Sequence, residues 1–281
     1  MSDKYSEAMN FMIRRTIARL LAGWVLAVAS AHALSDTDGQ NIWQKRDGLS
    51  LTAAAFNPNY ETKIRKSRGD TDGSLISLED DLGLDDDDVI PVLSLAFRPW
   101  AKHKFFLSYM GMDRDAQKVL SEDLSFDGIT FPAGTDVDTE FNIDMYRAGY
   151  TWSFLQNESW ELGVSVGAYW VEMDMQMSAF KGFLDADYDE SEPFPMFGFS
   201  GSWLLNDNWL IRGTAEAFRI DMGDTEGDFY NVRIEAEYAV TENISLGAGY
   251  DLVRIDVEDT KKNNRVTYDY DGALAFVRWH F

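Results

Sequence analysis

From residue 48 onward, apolar and polar side chains alternate in one segment after another, and no segment carries helical periodicity. A period of two is the period of a β-strand, whose successive side chains point to opposite faces. The clearest example sets Tyr230, Val232, Ile234, Ala236, Tyr238 and Val240 on one face and Asn231, Arg233, Glu235 and Glu237 on the other. Ten such segments are predicted: 48–66, 89–98, 103–120, 139–154, 160–170, 197–205, 209–217, 230–240, 244–257 and 265–281. Several change phase part-way, at Met145 to Tyr146, Trp170 to Val171 and Leu252 to Val253. A one-residue slip exchanges the two faces. Each break therefore predicts either a β-bulge or the point at which a strand leaves an apolar environment, and their position toward one end of the strands favours sheet that protrudes beyond it.

The connections alternate in length. Four are short, at 99–102, 156–159, 206–208 and 241–243; the others are long and acidic, at 67–88, 121–138, 181–192, 223–228 and 260–264. Aromatic residues gather beside the short turns: Trp100, Trp152, Phe154, Trp160, Trp203, Trp209, Tyr238, Trp279 and Phe281. In the closing segment Ala273, Ala275, Val277, Trp279 and Phe281 form an apolar stripe, with Arg278 and His280 between them, and the last residue is that Phe. An apolar stripe ending on a terminal aromatic resembles the closing strand of small Gram-negative outer-membrane β-barrels, the OmpA- and OmpW-like kind. That resemblance covers nearly the whole chain beyond residue 33. It implies an all-β fold: an antiparallel up-and-down transmembrane β-barrel of about ten strands, with eight or twelve as the alternatives, short turns in the periplasm and long loops outside. It also implies that Val277, Trp279 and Phe281 form the signal read by the barrel-assembly machinery, which is then a partner.

At the other end, Arg14, Arg15 and Arg19 precede an apolar run, 20–29, followed by Ala31-His32-Ala33. This is the pattern of a secretory signal peptide with a small-residue cleavage site. Its core of roughly ten residues is too short to span a bilayer as a helix, which takes ~20. The expected organisation is a signal peptide at 1–33, a polar periplasmic lead at 34–47 and the barrel at 48–281, with Met9 and Met12 as alternative starts to Met1.

Composition narrows the function classes. The formal net charge is −23, which excludes nucleic acid as a partner on electrostatic grounds. No cysteine is present, so neither disulfides nor thiolate metal sites are available. A hydrophobic content of 45% with 14% aromatics suits a barrel that conceals its apolar side chains in alternation. The expected setting is the outer membrane, as a monomer, against lipid and lipopolysaccharide.

The lumen-facing positions carry the candidate chemistry: Arg98, Arg147, Arg212, Glu216, Arg233, Glu235, Glu237, Asp251, Arg278 and His280. Charges in a narrow interior must pair, because an isolated buried charge costs several kcal/mol. The first expectation is a non-catalytic barrel with a structural, surface-interaction or small-solute role, its lumen filled by a network in which Arg233, Glu235 and Glu237 pair with Arg212 and Arg278; the alternative is a narrow transport barrel that admits small, possibly apolar molecules through a lateral gap, as the resemblance to OmpW-like barrels implies. An enzyme ranks third, because the remaining histidines, His103 and His280, both fall at the periplasmic end, away from lipopolysaccharide. No cofactor is implied. The first long loop holds the acidic run Asp85, Asp86, Asp87 and Asp88. Divalent cations take such oxygen ligands, yet no EF-hand spacing is present, so a solvated loop dispensable for folding is expected and these residues are only weak metal candidates. Within that loop, Ser77 to Leu84 reads as one capped helical turn whose leucines suit a lid over the barrel mouth.

Overall fold

The structure is a computed structural model that describes residues 43, 46–69, 71–180 and 182–281. The expected signal peptide at 1–33 and most of the expected periplasmic lead at 34–47 lie outside these residues. In chain order the strands are β1 (Leu49–Arg65), β2 (Ile76–Ser77), β3 (Ile90–Trp100), β4 (His103–Val119), β5 (Leu124–Phe126), β6 (Ile129–Phe131) and β7 (Asp136–Gln156). They continue as β8 (Trp160–Ala179), β9 (Leu184–Leu204), β10 (Trp209–Met222), β11 (Thr225–Ala239), β12 (Ile244–Asp259) and β13 (Asn264–His280). Ten of them, β1, β3, β4 and β7 to β13, pair antiparallel with their neighbours, and β13 returns to β1 from Ser50↔His280 to Arg65↔Arg265, closing the barrel. The fold is the closed ten-stranded antiparallel barrel that the alternation predicts.

Three of the four short turns are built alike. The Asn157 side chain accepts from the backbone N–H of Ser159 and Trp160 at 2.9 and 2.7 Å, and Asn206 accepts from Asn208 and Trp209, both at 3.0 Å. Thr241 repeats the arrangement with Asn243 and Ile244. Such side chains mimic a backbone turn and fix the hairpin without glycine.

Outward-facing residues near these turns are apolar. Ten positions separate Trp160 from Trp170 on β8, which at about 3.3 Å per residue and a tilt of roughly 40° spans about 25 Å, the height of a lipid belt. A second aromatic girdle closes the belt at its upper edge, where Tyr109, Trp170, Tyr230 and Tyr250 are exposed. Their polar tips reach side chains at or above that edge: Tyr109 donates to Asp144 at 2.6 Å, the Trp170 indole to Ser191 at 2.8 Å and Tyr250 to Asp271. Aromatic residues with one wet end suit such an interface.

The phase breaks mark this boundary. Register runs without a shift through Met145↔Val171, Tyr146↔Trp170 and Val232↔Leu252, and the two irregularities within the barrel ladders fall elsewhere, at Phe97/Trp100 and Ser153/Leu155. No side chain changes face. What changes is which face is apolar. Below Trp170, Leu162, Val164 and Val166 point out and Ser165 points in. Above it, Met173, Met175 and Met177 point in and are buried, while Asp174 and Gln176 point out. Between bulge and exit from lipid, the structure selects exit.

The same inversion corrects the loop boundaries. Residues 181–192, expected as an acidic loop, largely belong to β9, where exposed Asp185, Asp187 and Asp189 alternate with buried Ala186 and Tyr188. The stretch 223–228 reduces to a tight turn between Met222 and Thr225, because outward acids in protruding sheet carry the polarity of a loop with the period of a strand.

The first long loop is also corrected: it is packed, not solvated. Because β3 is only 11 residues long, the wall between β1 and β4 is incomplete above it, and loop 66–88 fills the gap. Ile76, Leu78, Leu82 and Leu84 are all at most 3% exposed. Ser77 caps the turn, accepting from Asp80 N–H at 3.2 Å, and the Leu84 N–H donates back to the Leu78 carbonyl around Gly83, whose φ of 78° suits glycine. Glu79 accepts from the Thr62 N–H at 2.9 Å and from Arg114 at 2.7 Å. With Phe126, Phe131, Phe141, Tyr268 and the inward methionines, these leucines form a continuous apolar core in the outer half of the barrel.

Candidate lumenal site

Below that core the lumen is polar, and the alternation of β8 and β10 to β13 delivers its charges to one layer after another. Asp47 accepts from both terminal nitrogens of Arg212, at 2.7 and 2.8 Å. Arg212 donates through Nε to Glu237 at 3.1 Å, Glu237 also pairs with Arg278, and Arg278 reaches Glu235 at 3.2 Å. Arg233 stands 3.9 Å from Glu235 and bonds Asp251, which accepts from Asn231 at 2.6 Å. The result is one unbroken run of alternating charges from the periplasmic mouth to mid-barrel. Two shorter groups flank it: Arg147 with Glu216, to which Tyr169 donates at 3.0 Å, and Arg98 with Glu161 at 2.8 Å. Glycines opposite the aromatic members make room for their rings, as Gly149 does beside Phe106 and Gly247 beside Phe276. Arg147 and Arg278 then lie over the faces of Phe106 and Phe276, at 4.2 and 4.8 Å.

All nine charged residues singled out in the lumen point inward and are ion-paired. The sequence reading missed Asp47, Glu161 and Lys104. Glu161 and Lys104 sit at inward positions of their strands and were legible from parity; Asp47 precedes the first strand and had no such signal. For Asp47, burial by itself raises the carboxyl, but the paired Arg212 guanidinium outweighs it and holds the group far below the usual carboxylate range.

At the periplasmic end the Asp47 N–H donates to the Trp43 carbonyl at 2.9 Å, and Trp43 packs against Leu210, Ala239 and His280. His280 is buried, with Nε2 at 2.8 Å from Ser245 Oγ and 3.3 Å from Glu237, and Nδ1 at 3.1 Å from the Arg46 carbonyl. These are the residue types of a nucleophilic triad in a non-catalytic arrangement. Serine and carboxylate share one nitrogen, whereas a relay needs the carboxylate on the other, and Ser245 has no exposed surface. His103, the other described histidine, lies in the lower girdle against Tyr150 at 2.6 Å.

Asp85 to Asp88 are not gathered around a common point; Asp85 and Asp86 act through backbone carbonyls, accepting from Arg114 at 3.1 Å and Tyr60 N–H at 2.8 Å. Among the described residues no group of three or more His, Asp or Glu side chains is placed to hold a metal. Of the terminal residues, Val277 and Trp279 pair with Ala53 and Leu51 of β1, and Phe281 is exposed, its N–H donating to the Leu49 carbonyl at 2.9 Å.

Among the charged side chains, and reaching toward the outer core, lies a cavity of about 170 Å³. Its lining is mixed: Met110, Leu274 and Phe276 are apolar, and Thr151, Ser165, Arg147 and Glu216 are polar. Lys104 points into it and forms no ion pair within 4.0 Å among the described residues.

The outer membrane protease OmpT from Escherichia coli superimposes on the chain with a TM-score of 0.54 at 13% identity, covering 84% of this chain and 97% of that one. The fold is that of the outer-membrane β-barrels. Ail, the attachment invasion locus protein of Yersinia pestis, matches 82% of this chain and 98% of its own at 13% identity with a TM-score of 0.36. Neisserial surface protein A matches 83% of this chain and 97% of its own at 16% identity with a TM-score of 0.33. No family model and no curated protein sequence matches the chain.

Proposed function

We propose that the protein is a non-catalytic outer-membrane barrel that encloses a small chamber rather than an aqueous pore. The observation that supports this reading is that side chains cross the lumen at both ends, by different means. Below the chamber stand the charge layer of Arg212, Glu237 and Arg278 and the inserted Trp43; above it lies the apolar core with the leucines of the first loop. An aqueous path of porin type would require water to cross an apolar layer several residues deep. A barrel of ten strands already leaves little room beyond its own side chains. The apolar belt between two aromatic girdles supports residence in the outer membrane. His280 and His103, the two described histidines, lie at the opposite end of the barrel from the outer rim, so neither can serve an acid-base site there.

The test is single-channel recording of the purified barrel in planar bilayers. The wild type is expected to give no unitary steps. Stable ion-conducting steps in the wild type would show that the network lines a pore and would overturn this reading.

A further inference from the structure

The barrel wall is interrupted twice above the lipid belt, and only one interruption is filled. Above β3, loop 66–88 joins β1 through Leu78 N–H to the Thr62 carbonyl and Tyr60 N–H to the Asp86 carbonyl, and joins β4 through Arg114, which donates to the Asp85 carbonyl at 3.1 Å. Between β9 and β10 the ladder ends at Phe197↔Ala217, although β9 begins at Leu184 and β10 runs to Met222. Continuing that register would set Met222 opposite Glu192, so residues 184–191 stand beyond the reach of β10 in any case. Among the described residues no ladder pair and no other backbone hydrogen bond engages this edge of β9 above Phe197. Pro193 and Pro195 explain where pairing stops, since neither has an N–H and proline inside a sheet is confined to edges. They pair with Trp170 and Ala168 of β8, so the break begins at the upper girdle and residues 184–191 lie above the belt.

This upper segment is an edge without most of the usual guards. Exposed edges are blunted by proline, lysine, bulges or shortness. Residues 184–191 contain neither proline nor lysine, and their register with β8 runs without a shift from Ala179↔Leu184 to Glu172↔Ser191. The two faces of the segment differ. Asp185, Asp187 and Asp189 are exposed on the outer face, whereas Ala186 and Tyr188 are buried on the inner one, in the same apolar core as Phe126. A strand added here would meet open backbone groups, acids beside its outward side chains and an apolar core beneath its inward ones. A second copy of β9 fails the middle condition, because like charges directly opposite each other destabilise a pair. We propose that the free edge of β9 is a docking site for an extended peptide segment that carries Lys or Arg at alternate positions with apolar residues between them. Main-chain hydrogen bonds supply the affinity and the alternation supplies the specificity, as in strand addition generally. The prolines set the lower limit of the site and keep an added strand out of the belt. The site goes beyond the closed-chamber reading and stands without it, since it lies in the wall above the belt.

The experiment uses the full barrel in nanodiscs of zwitterionic lipid and a fluorescently labelled octapeptide of alternating Lys and Val, read by fluorescence anisotropy. The wild type should bind the peptide, and empty nanodiscs should not. The same peptide N-methylated at every residue keeps its charges but loses every main-chain donor, and should bind about tenfold more weakly or not at all, the scale of two or more lost hydrogen bonds. A Glu–Val octapeptide should not bind. Asp185→Asn, Asp187→Asn and Asp189→Asn combined should weaken Lys–Val binding about tenfold, the scale of several cross-strand charge pairs. The control, Asp138→Asn with Glu140→Gln, removes exposed acids from β7, which is paired on both sides, and should leave binding unchanged. If the triple variant fails to fold, Asp187→Lys alone should weaken binding several-fold. No binding by the wild type above empty nanodiscs, equal binding of the N-methylated peptide, or an equal loss in the β7 control overturns the proposal. Dimers of the wild type that the β9 substitutions abolish would make a second copy the occupant and overturn it as well. Ion conduction by the wild type breaks only the closed-chamber reading, so the two failures are distinguishable.

Discussion

The lower and outer halves of the barrel use the same strands with the same side-chain facing, yet they are inside-out relative to each other. In the lower half, Val232 and Ile234 of β11 face lipid while Arg233 and Glu235 face the lumen. In the outer half, Ile255 and Val253 of β12 are buried inside while Arg254 faces out. The difference shows that a strand has no intrinsic apolar side; the solvent on each face decides, and the boundary between the halves is a plane through the upper girdle. The two interiors are also held differently, the lower one by paired charges and the outer one by dispersion and exclusion of water.

The largest break in this comparison should come from replacing residues 69–87 with a short Gly-Ser linker. Four buried side chains at about 1.5–3 kcal/mol each put the loss at about 6–12 kcal/mol as an upper estimate. The urea midpoint should fall and the hairpins of β7 to β9 should become protease-sensitive above the girdle, while the belt still gives a heat-modifiable band. Next in size, Glu237→Ala removes the carboxylate shared by Arg212 and Arg278 and should cost about 3–5 kcal/mol in a urea titration. Glu235→Ala should cost less, because Arg278 keeps Glu237. The facing rule is sharpened by arginine at two outward positions: Val232→Arg in the belt should cost about 2–4 kcal/mol, whereas Asp187→Arg in the protruding sheet should stay within about 0.5 kcal/mol. Equal costs at the two sites would sink the boundary.

The smallest effect is expected from acid on the periplasmic clasp. The folded Asp47 carboxyl is depressed, so its contribution is present above its unfolded value of about 3.9 and is lost only as pH falls further. Trp43 emission, compared between the protein and Asp47→Asn, should therefore show no clasp-dependent change between pH 7 and pH 5 and a change only below about pH 4.

The architecture was legible because a period of two survives any choice of environment, and so were the inward charges, since parity alone places Arg233 and Glu237. Asp185, Asp187 and Asp189 were misread as loop because acidity was taken for irregularity, although their alternation with Ala186 and Tyr188 continued. The packing of loop 66–88 was only half legible: its leucines suggested a lid, but that β3 is short enough to need one is a fact about neighbours far away in sequence. The clasp between Asp47 and Arg212 joins positions whose contact no local pattern encodes. The prolines of β9 are visible in the sequence, but their meaning required knowing where the ladder to β10 stops.

Closure by β13 has a consequence for how the chain reaches this state. Every other ladder of the barrel joins strands that are near neighbours along the chain, but the last joins Leu51 to Trp279, so its loop-closure entropy is met at the end and with the largest sequence separation in the protein. Topologies of high contact order fold slowly. Until residues 264–281 arrive, β1 is an edge whose unpaired donors and acceptors are open to any other strand. A chain truncated before β13 is therefore expected to be not a smaller barrel but a curved, open sheet that seeks a partner, and the time spent in that form sets its exposure to aggregation.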